Sequence, residues 1–248
     1  MSMHEAKISI ITVCYNAEKT IERTIRSVIR QDYKNIEYVV VDGESSDGTL
    51  DILDRYKTDI TILVSEKDKG IYDAMNKGIS LSEGAYILFL NADDYLFSPS
   101  VIENMMAAIS QYKDSDIFYG NLLMFDDKTG QAKIWKPGPV SGKLLYSSTL
   151  PHPATIYKRT IFEKLNKFDD TYKIAADYEF YVRAFTSDAN FKYLDKLVSV
   201  FSYGGVSTSG EYKKLTQDER EKTLFKYYSN TQRLLLRIRV RIKKLFNI

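Results

Sequence analysis

The chain has 248 residues, of which 44% are hydrophobic and 27% are charged, and its formal net charge is +2. This balance is typical of a globular protein with one main core. Because Cys14 is the only cysteine, an intrachain disulfide framework is excluded and a reducing compartment is expected. The polar N-terminus lacks the features of a signal peptide, and no run of about 18 apolar residues predicts a membrane span.

Charge is distributed unevenly along the chain. No acidic residue follows Glu221, so the residues before position 222 carry a net charge of −6 and the C-terminal segment is basic. An acidic body argues against nucleic-acid binding by the fold, and the basic end predicts a separate anionic partner. The positive charges after Glu221 belong to Lys222, Lys226, Arg233, Arg237, Arg239, Arg241, Lys243 and Lys244.

Apolar strands alternate with amphipathic helices through the first part of the chain. Runs such as 8–13 and 36–41 place apolar residues on both faces of a strand, as strands of a parallel sheet covered by helices require. The pattern therefore predicts an α/β fold with a mostly parallel central sheet flanked by helices. The predicted order is strand 8–13, helix 17–31, strand 36–41, helix 50–56, strand 60–64, helix 72–81 and strand 85–90.

The alternation weakens after residue 100. Apolar spacing there still predicts two longer helices and several short strands. These elements are helix 99–112, strand 116–119, hairpin-like strands 122–125 and 132–135, and helix 175–186.

Polar clusters follow the first four predicted strands, at YNAE, DGESSDG, SEKDKG and NADD. Because ligands bind at the carboxyl ends of parallel strands, these four loops are expected to converge on one crevice. Adjacent carboxylates at Asp93 and Asp94 offer the hard oxygen ligands that Mg²⁺ and Mn²⁺ prefer. Asp42 lies beside glycines that let a ligand approach the backbone closely, and its carboxylate can accept hydrogen bonds from that ligand.

Five motifs occur together in an order that resembles a known family. The segments SIITVCYNAEKTI, VVVDGESSDGT, SEKDKGIYDAMNKGI, YILFLNADD and AADYEF resemble the inverting family 2 glycosyltransferases with the GT-A fold. Within that family, GIYDAMNKG and FSYGGVST are most similar to bacterial enzymes that assemble colanic acid, capsule or O-antigen units. The resemblance implies a GT-A-type nucleotide-binding sandwich over 1–210, with a nucleotide-binding half (1–100) and an acceptor half (101–210), followed by a helical basic extension over 211–248.

The resemblance also implies roles for the matching residues. Asp94 would hold the Mn²⁺ or Mg²⁺ ion that bridges two phosphates, and the neighbouring Asp93 would contact the sugar or the ribose. Nucleotide-binding roles are implied for Thr12, Asp42, Lys69, Asp73 and Asp93.

A later carboxylate is the expected catalytic base. Asp177, in AADYEF, matches the second acid of the family's Glu-Asp motif, whereas Ala176 replaces the first acid. Glu179 is the competing candidate for the base. His152, in LPHPATIY, is expected to lie near the acceptor or the metal, with a structural role as the alternative.

The expected activity is that of a metal-dependent hexosyltransferase. It would move a sugar from a nucleotide-sugar, first of all a UDP-sugar, to a hydroxyl of a polyprenyl-diphosphate-linked saccharide. A sugar nucleotidyltransferase is one alternative, but VCYNAEKT lacks its Gly-rich basic phosphate loop. A non-catalytic carbohydrate-assembly scaffold is another, against which the joint presence of Asp42, Asp93, Asp94 and Asp177 speaks.

The C-terminal segment RLLLRIRVRIKKLFNI has an amphipathic helical pattern, with most basic residues opposite the apolar ones. Such a helix is attracted to anionic lipid, so a cytoplasmic protein peripheral on the inner face of the cell membrane is expected. Packing on the body or in a homo-oligomer is the alternative, because Leu236 and Val240 fall on the basic side. The predicted apolar arc contains Leu234, Leu235, Ile238, Ile242, Leu245 and Phe246.

Overall fold

The computed structural model describes residues 6–126, 129–202, 212–236 and 238. The strands in this part are β1 (Ile8–Cys14), β2 (Ile36–Asp42), β3 (Ile62–Ser65), β4 (Tyr86–Phe89), β5 (Tyr95–Leu96), β6 (Ile117–Phe125), β7 (Ala132–Trp135), β8 (Thr155–Lys158) and β9 (Phe191–Ser202). The helices are α1 (Ile21–Ile29), α2 (Thr49–Arg55), α3 (Ile71–Leu81), α4 (Val101–Ile109), α5 (Gly142–Ser147), α6 (Thr160–Leu165), α7 (Ala176–Thr186) and α8 (Lys213–Tyr227). The strands form one sheet in the order β3-β2-β1-β4-β8-β6-β9-β5, and β7 pairs with β6 off this path.

The first four strands form a parallel unit. β2 lies between β3 and β1, β1 lies between β2 and β4, and all three pairs are parallel. Every residue of β1 and β4 is buried, because helices cover both faces of this part of the sheet. The register places Cys14 beside Asp42 and Asp42 beside Ser65, so three strands end at one edge.

Beyond β4 the sheet is mixed. β8 runs antiparallel to both β4 and β6, whereas β9 runs parallel to β6. The predicted α/β fold is confirmed, and its continuous parallel part is confined to β1, β2, β3 and β4. The sequence pattern does not predict β8 or β9, because both segments mix apolar with charged residues.

Alternate side chains of β1 pack into cores on opposite faces of the sheet. Ile11 belongs to the core that contains Met75 of α3 together with residues of α7. Ile10 belongs to the opposite core, which contains Ile25 of α1 and Met105 of α4. The sheet is therefore held between two helical layers, and this fixes the positions of the loops at its edge.

The predicted C-terminal extension is helical where it is described, over 213–227 and 230–236. α8 packs against α7, and the Thr223 hydroxyl donates to Tyr172 Oη at 3.2 Å. α8 therefore contacts the body of the fold directly. Among the described residues, no helix combines the length and hydrophobicity that crossing a membrane requires.

The following helical turn presents an apolar surface. Leu234, Leu235 and Ile238 are 57%, 50% and 44% exposed. Leu236 was expected on the basic side, but the structure places it in the core beside Tyr228. The rest of the predicted arc, like the expected domain boundary at 210 and most of the FSYGGVST motif, lies outside the described residues.

Candidate active site

The ends of β1, β2 and β3 meet at Asp42, whose side chain is completely buried. Its Oδ2 accepts hydrogen bonds from the Ser45 backbone N–H at 2.9 Å and the Ser65 hydroxyl at 2.7 Å. Its Oδ1 accepts from the Ser45 hydroxyl and from the Cys14 thiol, whose sulfur lies 3.5 Å away. Burial, and then the charge of Asp42, raise the pKa of the Cys14 thiol, which keeps it protonated. Asp42 thus ties three strand ends to the loop after β2.

The loops that follow these strands lie side by side. Asn16, after β1, has a φ of 49°, and its side chain accepts a hydrogen bond from the Ser46 backbone N–H at 2.9 Å. Gly43, after β2, lies so close to the loop after β3 that a Cβ atom there would be 2.4 Å from Asp68 Oδ2. A larger residue at position 43 would have to displace the Asp68 carboxylate, so glycine lets the two loops lie this close.

Thr12 does not lie at this edge. Its side chain is fully buried within the sheet, and its Oγ1 accepts a hydrogen bond from Tyr38 Oη at 3.2 Å. β1 continues past Thr12 as far as Cys14. The structure therefore places Thr12 beneath the crevice, apart from the other residues that the resemblance groups with it.

Lys69 and Asp73 lie together at the start of α3. Asp73 Oδ2 accepts a hydrogen bond from the Lys69 backbone N–H at 3.1 Å and lies 3.5 Å from Lys77 Nζ. Gly70, with a φ of 133°, turns the chain into the helix. Asp73 therefore fixes this turn, whereas the side chain of Lys69 is exposed to solvent.

The turn after β4 carries Asp93 and Asp94. Asp94 is 1% exposed, and its Oδ1 has no hydrogen-bond partner in the described part of the chain. Burial, and then the neighbouring charge of Asp93, raise the pKa of Asp94 well above its usual range, against the opposing charge of Arg23. A buried carboxylate oxygen without a partner is costly, and a ligand bound at this turn would offset that cost.

α1 holds this turn through its backbone. The Thr24 hydroxyl lies 3.0 Å from the Ala92 carbonyl oxygen and 2.6 Å from that of Asp94, so its proton is shared between them. Arg23 Nη2 donates to the Asp93 carbonyl oxygen at 3.1 Å. These bonds fix the main chain without using the two carboxylates.

The carboxylates of Asp93 and Asp94 could supply only part of the ligand shell of a cation. Within the described residues, no group of three or more His, Cys, Asp or Glu side chains is arranged to hold a metal ion. The unpartnered oxygen of Asp94 nevertheless fits Mg²⁺ or Mn²⁺, ions that often take their remaining ligands from water and phosphate. The residues present thus fit a metal that is shared with a phosphate-bearing ligand.

Asp177 lies in the first turn of α7 and is partly exposed. Tyr72 Oη lies 3.1 Å from Asp177 Oδ1 and 2.7 Å from the Ile174 carbonyl oxygen, so its proton is shared between them. Burial, and then the charge of Asp177, raise the pKa of Tyr72, which keeps this hydroxyl a donor. No hydrogen bond to Asp177 Oδ2 occurs in the described part of the chain. One oxygen of Asp177 is therefore oriented by Tyr72, and the other accepts no hydrogen bond from the described residues.

His152 packs against β4, where its pKa responds to the charge of Asp177. Its ring stacks on that of Phe89, with centroids 5.4 Å apart and 17° between the planes. Its Nδ1 lies 3.4 Å from Tyr157 Oη, while its Nε2 is buried without a hydrogen-bond partner among the described residues. Burial lowers the pKa of His152, and the charge of Asp177 opposes this shift. A neutral imidazole next to a carboxylate results at pH 7.

The two candidate bases have different environments. Glu179 is 0% exposed, lies 2.9 Å from Arg183 Nη2 and 3.3 Å from Lys226 Nζ, and accepts a hydrogen bond from Tyr227 Oη. Its carboxylate is therefore engaged in a buried cluster between α7 and α8. The geometry favours Asp177 over Glu179 as the group that reaches a substrate.

Several residues that shape the site are not singled out by the sequence. Tyr72 lies inside the motif GIYDAMNKG, which offered a signal for it. Ser65 is the first residue of the longer motif SEKDKGIYDAMNKGI, whereas Thr24 carried no comparable signal, because the carbonyl groups that it contacts belong to the turn after β4.

Comparison with known proteins identifies the family. Residues 9–174 match the family model described as Glycosyl transferase family 2. A PGL/p-HBAD biosynthesis glycosyltransferase of Mycobacterium bovis is 31% identical over 206 residues, which cover 81% of this chain and 79% of that protein. The glycosyltransferase GlyG of Streptococcus pneumoniae is 30% identical over 134 residues, which cover 53% of this chain and 44% of that protein.

Solved structures share the fold. S. aureus TarS 1–349 in complex with UDP-GlcNAc has a TM-score of 0.71 at 21% identity, covering 90% of this chain and 68% of that one. Another structure of S. aureus TarS 1–349 has a TM-score of 0.66 at 24% identity, covering 79% of this chain and 60% of that one. Mannosyltransferase PcManGT from Pyrobaculum calidifontis, in complex with GDP-Man and Mn²⁺, has a TM-score of 0.63 at 15% identity. The match covers 96% of this chain and 80% of that one. These likenesses support the α/β fold. Because the family match spans more than half of the sequence, the chain belongs to glycosyl transferase family 2.

Proposed function

We propose that this glycosyltransferase is an inverting enzyme that moves a sugar from a nucleoside diphosphate sugar to a hydroxyl of a lipid-linked saccharide. Family membership supports the glycosyl transfer itself. The buried and unpartnered Oδ1 of Asp94 carries the proposal further, because a metal-bound diphosphate would satisfy it. The same oxygen in a scaffold without a ligand would only destabilise the fold.

The donor would lie across the ends of β1, β2, β3 and β4. Asp42 orders the loop that would meet the nucleoside, and Asp93 would contact the ribose or the sugar. The exposed ammonium group of Lys69 would approach the phosphates, beside Asp73. A UDP-sugar is our first candidate, because the solved TarS complex contains UDP-GlcNAc, and a GDP-sugar is the second, because the PcManGT complex contains GDP-Man.

Asp94 is the residue that would hold Mn²⁺ or Mg²⁺. When bound, the ion would supply positive charge that stabilises the leaving diphosphate. The presence of Mn²⁺ in the PcManGT complex supports this choice of cofactor. Thr24 and Arg23 fix the main chain of this turn, which keeps Asp94 in place before any ligand arrives.

Asp177 would remove the proton from the acceptor hydroxyl. Tyr72 orients one of its oxygens, and the other is open to the acceptor. The neutral His152 ring would form part of the acceptor wall next to it. One attack on the face opposite the leaving group inverts the anomeric centre, so a single base suffices and no protein nucleophile is required.

The acceptor would be a polyprenyl-diphosphate-linked saccharide at the inner face of the cell membrane, used in O-antigen, capsule or related surface polysaccharide synthesis. The name of the M. bovis relative, a PGL/p-HBAD biosynthesis enzyme, supports a role in glycan assembly. The exposed side chains of Leu234, Leu235 and Ile238 support contact with lipid, and the basic residues near them in the sequence support anionic headgroups. A cytoplasmic enzyme bound peripherally to the membrane follows from this proposal.

Replacing Asp94 tests the metal site. In the unaltered protein, a bound donor with Mn²⁺ should raise the unfolding temperature, since saturation at 100 times Kd contributes about 2.7 kcal/mol. Asp94→Asn should lose the part of this increase that EDTA removes. It should not become less stable itself, because it removes a carboxylic acid whose burial disfavours its ionised form. Asp51→Asn, an exposed change on α2, is the matched control. A full Mn²⁺-dependent increase in Asp94→Asn would refute the assignment.

Replacing the two acids of α7 separates catalysis from stability. Asp177→Asn should keep donor affinity and lower kcat by about 10²- to 10⁴-fold, the usual contribution of a general base. Glu179→Gln should instead leave kcat of the folded enzyme near its parent value and lower the free energy of unfolding by about 1–3 kcal/mol, because buried partners lose hydrogen bonds. Sugar transfer by Asp177→Asn at the parent rate would exclude it as the base.

Vesicle co-sedimentation tests the membrane surface. The double substitution Leu234→Ser with Leu235→Ser should reduce binding to phosphatidylglycerol vesicles at least about tenfold, since each buried apolar side chain contributes roughly 1.5–3 kcal/mol. Leu81→Ser, a change at another exposed leucine on α3, should bind like the parent. Equal binding by all three proteins would show that this surface does not meet lipid.

A further inference from the structure

Three backbone N–H groups in the segment that precedes α7 converge on one side chain of α8. Glu219 Oε1 accepts from the Lys173 N–H at 2.7 Å. Its Oε2 accepts from the N–H groups of Ile174 at 3.0 Å and Ala175 at 2.9 Å. Glu219 is only 8% exposed, so these charge-assisted bonds form in a largely dry environment.

The beginning of α7 lacks a cap of its own. Its N-cap residue is Ala175, which has no side-chain acceptor, and no side-chain cap bond occurs there. Helix N-termini expose N–H groups and carry partial positive charge, which a carboxylate stabilises. Glu219 supplies such a carboxylate from a distant part of the sequence, against the segment that leads into the helix.

The capped segment leads directly to the proposed base. Glu219 holds the N–H of Ile174, and the carbonyl oxygen of Ile174 shares the Tyr72 hydroxyl with Asp177. A shift of this segment would therefore change both the direction of α7 at Asp177 and the hydrogen bond that orients its carboxylate. A displacement of about 1 Å at a reacting group can cost 100-fold in rate.

Other contacts keep α8 docked independently of Glu219. Arg220 donates to the Ser148 carbonyl oxygen at 2.8 Å, and its guanidinium lies 4.4 Å from the ring centroid of Tyr178. The Thr223 hydroxyl meets Tyr172 on the same side of α8. Loss of the Glu219 carboxylate should consequently loosen the segment at 173–175 while α8 remains attached.

The geometry points to Glu219 as a positioning residue for Asp177, which makes α8 part of the catalytic unit. This inference rests on the proposed function, because it assigns Glu219 a role through the proposed base. In this proposal α8 supports catalysis, whereas the turn around Leu234 and Leu235 has the exposed surface proposed to contact lipid.

Steady-state kinetics on Glu219→Gln and Glu219→Ala test the inference. Both should lower kcat, by about 10- to 100-fold. The KM for the donor should stay unchanged, because Glu219 contacts the segment before α7 and not the loops proposed to bind the donor. Glu219→Gln should lose less than Glu219→Ala, since it keeps one carbonyl acceptor for the three N–H groups. Glu221→Gln, an exposed change on the same helix, is the matched control and should behave like the parent.

A double substitution separates positioning from general destabilisation. If Glu219 acts through Asp177, adding Glu219→Gln to Asp177→Asn should lower kcat no further, because the interaction partner has already been lost. The inference would be overturned if the double variant lost kcat by the product of the two separate losses. It would also be overturned if Glu219→Gln lowered the unfolding temperature but left kcat unchanged. Failure of the parent protein to transfer any sugar would count against the proposed function instead.

Discussion

The carboxylate of Asp42 lies fully buried where β1, β2 and β3 end side by side, and it receives hydrogen bonds from Cys14, Ser45 and Ser65. A buried charge is tolerated only when such partners surround it. The parallel register that brings these partners together also aligns the polar loops that follow the strands. The crevice is thus a consequence of the same pairing that builds the core.

Two buried carboxylates at this edge differ in their hydrogen bonding. Asp42 has partners on both of its oxygens, whereas Asp94 has an oxygen without one in the described part of the chain. The first arrangement stabilises the loops, and the second costs stability until a ligand binds. This contrast in hydrogen bonding, which the sequence does not show because both acids follow apolar strands, supports the proposed metal-binding role of Asp94.

The sequence predicts the parallel half well because β1, β2 and β4 are buried on both faces, which leaves long apolar runs with clear ends. β9 begins with FKYLDK, in which apolar and charged residues follow no regular period, so the sequence does not show its pairing with β6. The family resemblance groups Thr12 with the nucleotide, but the sequence does not show that β1 continues past this residue to Cys14 before it reaches the edge. Glu219 had no local signal at all, since its partners lie more than 40 positions away.

Calorimetric titration of the unaltered protein with UDP- and GDP-sugars, in Mn²⁺ and again in EDTA, tests the central claim most directly. We expect one donor to bind in Mn²⁺ and to bind at least about tenfold more weakly in EDTA, a difference of roughly 1.4 kcal/mol. Equal binding in both conditions would contradict the role of the Asp94 turn as a metal site. The absence of heat with every donor would contradict the proposal that this crevice binds a nucleotide-sugar.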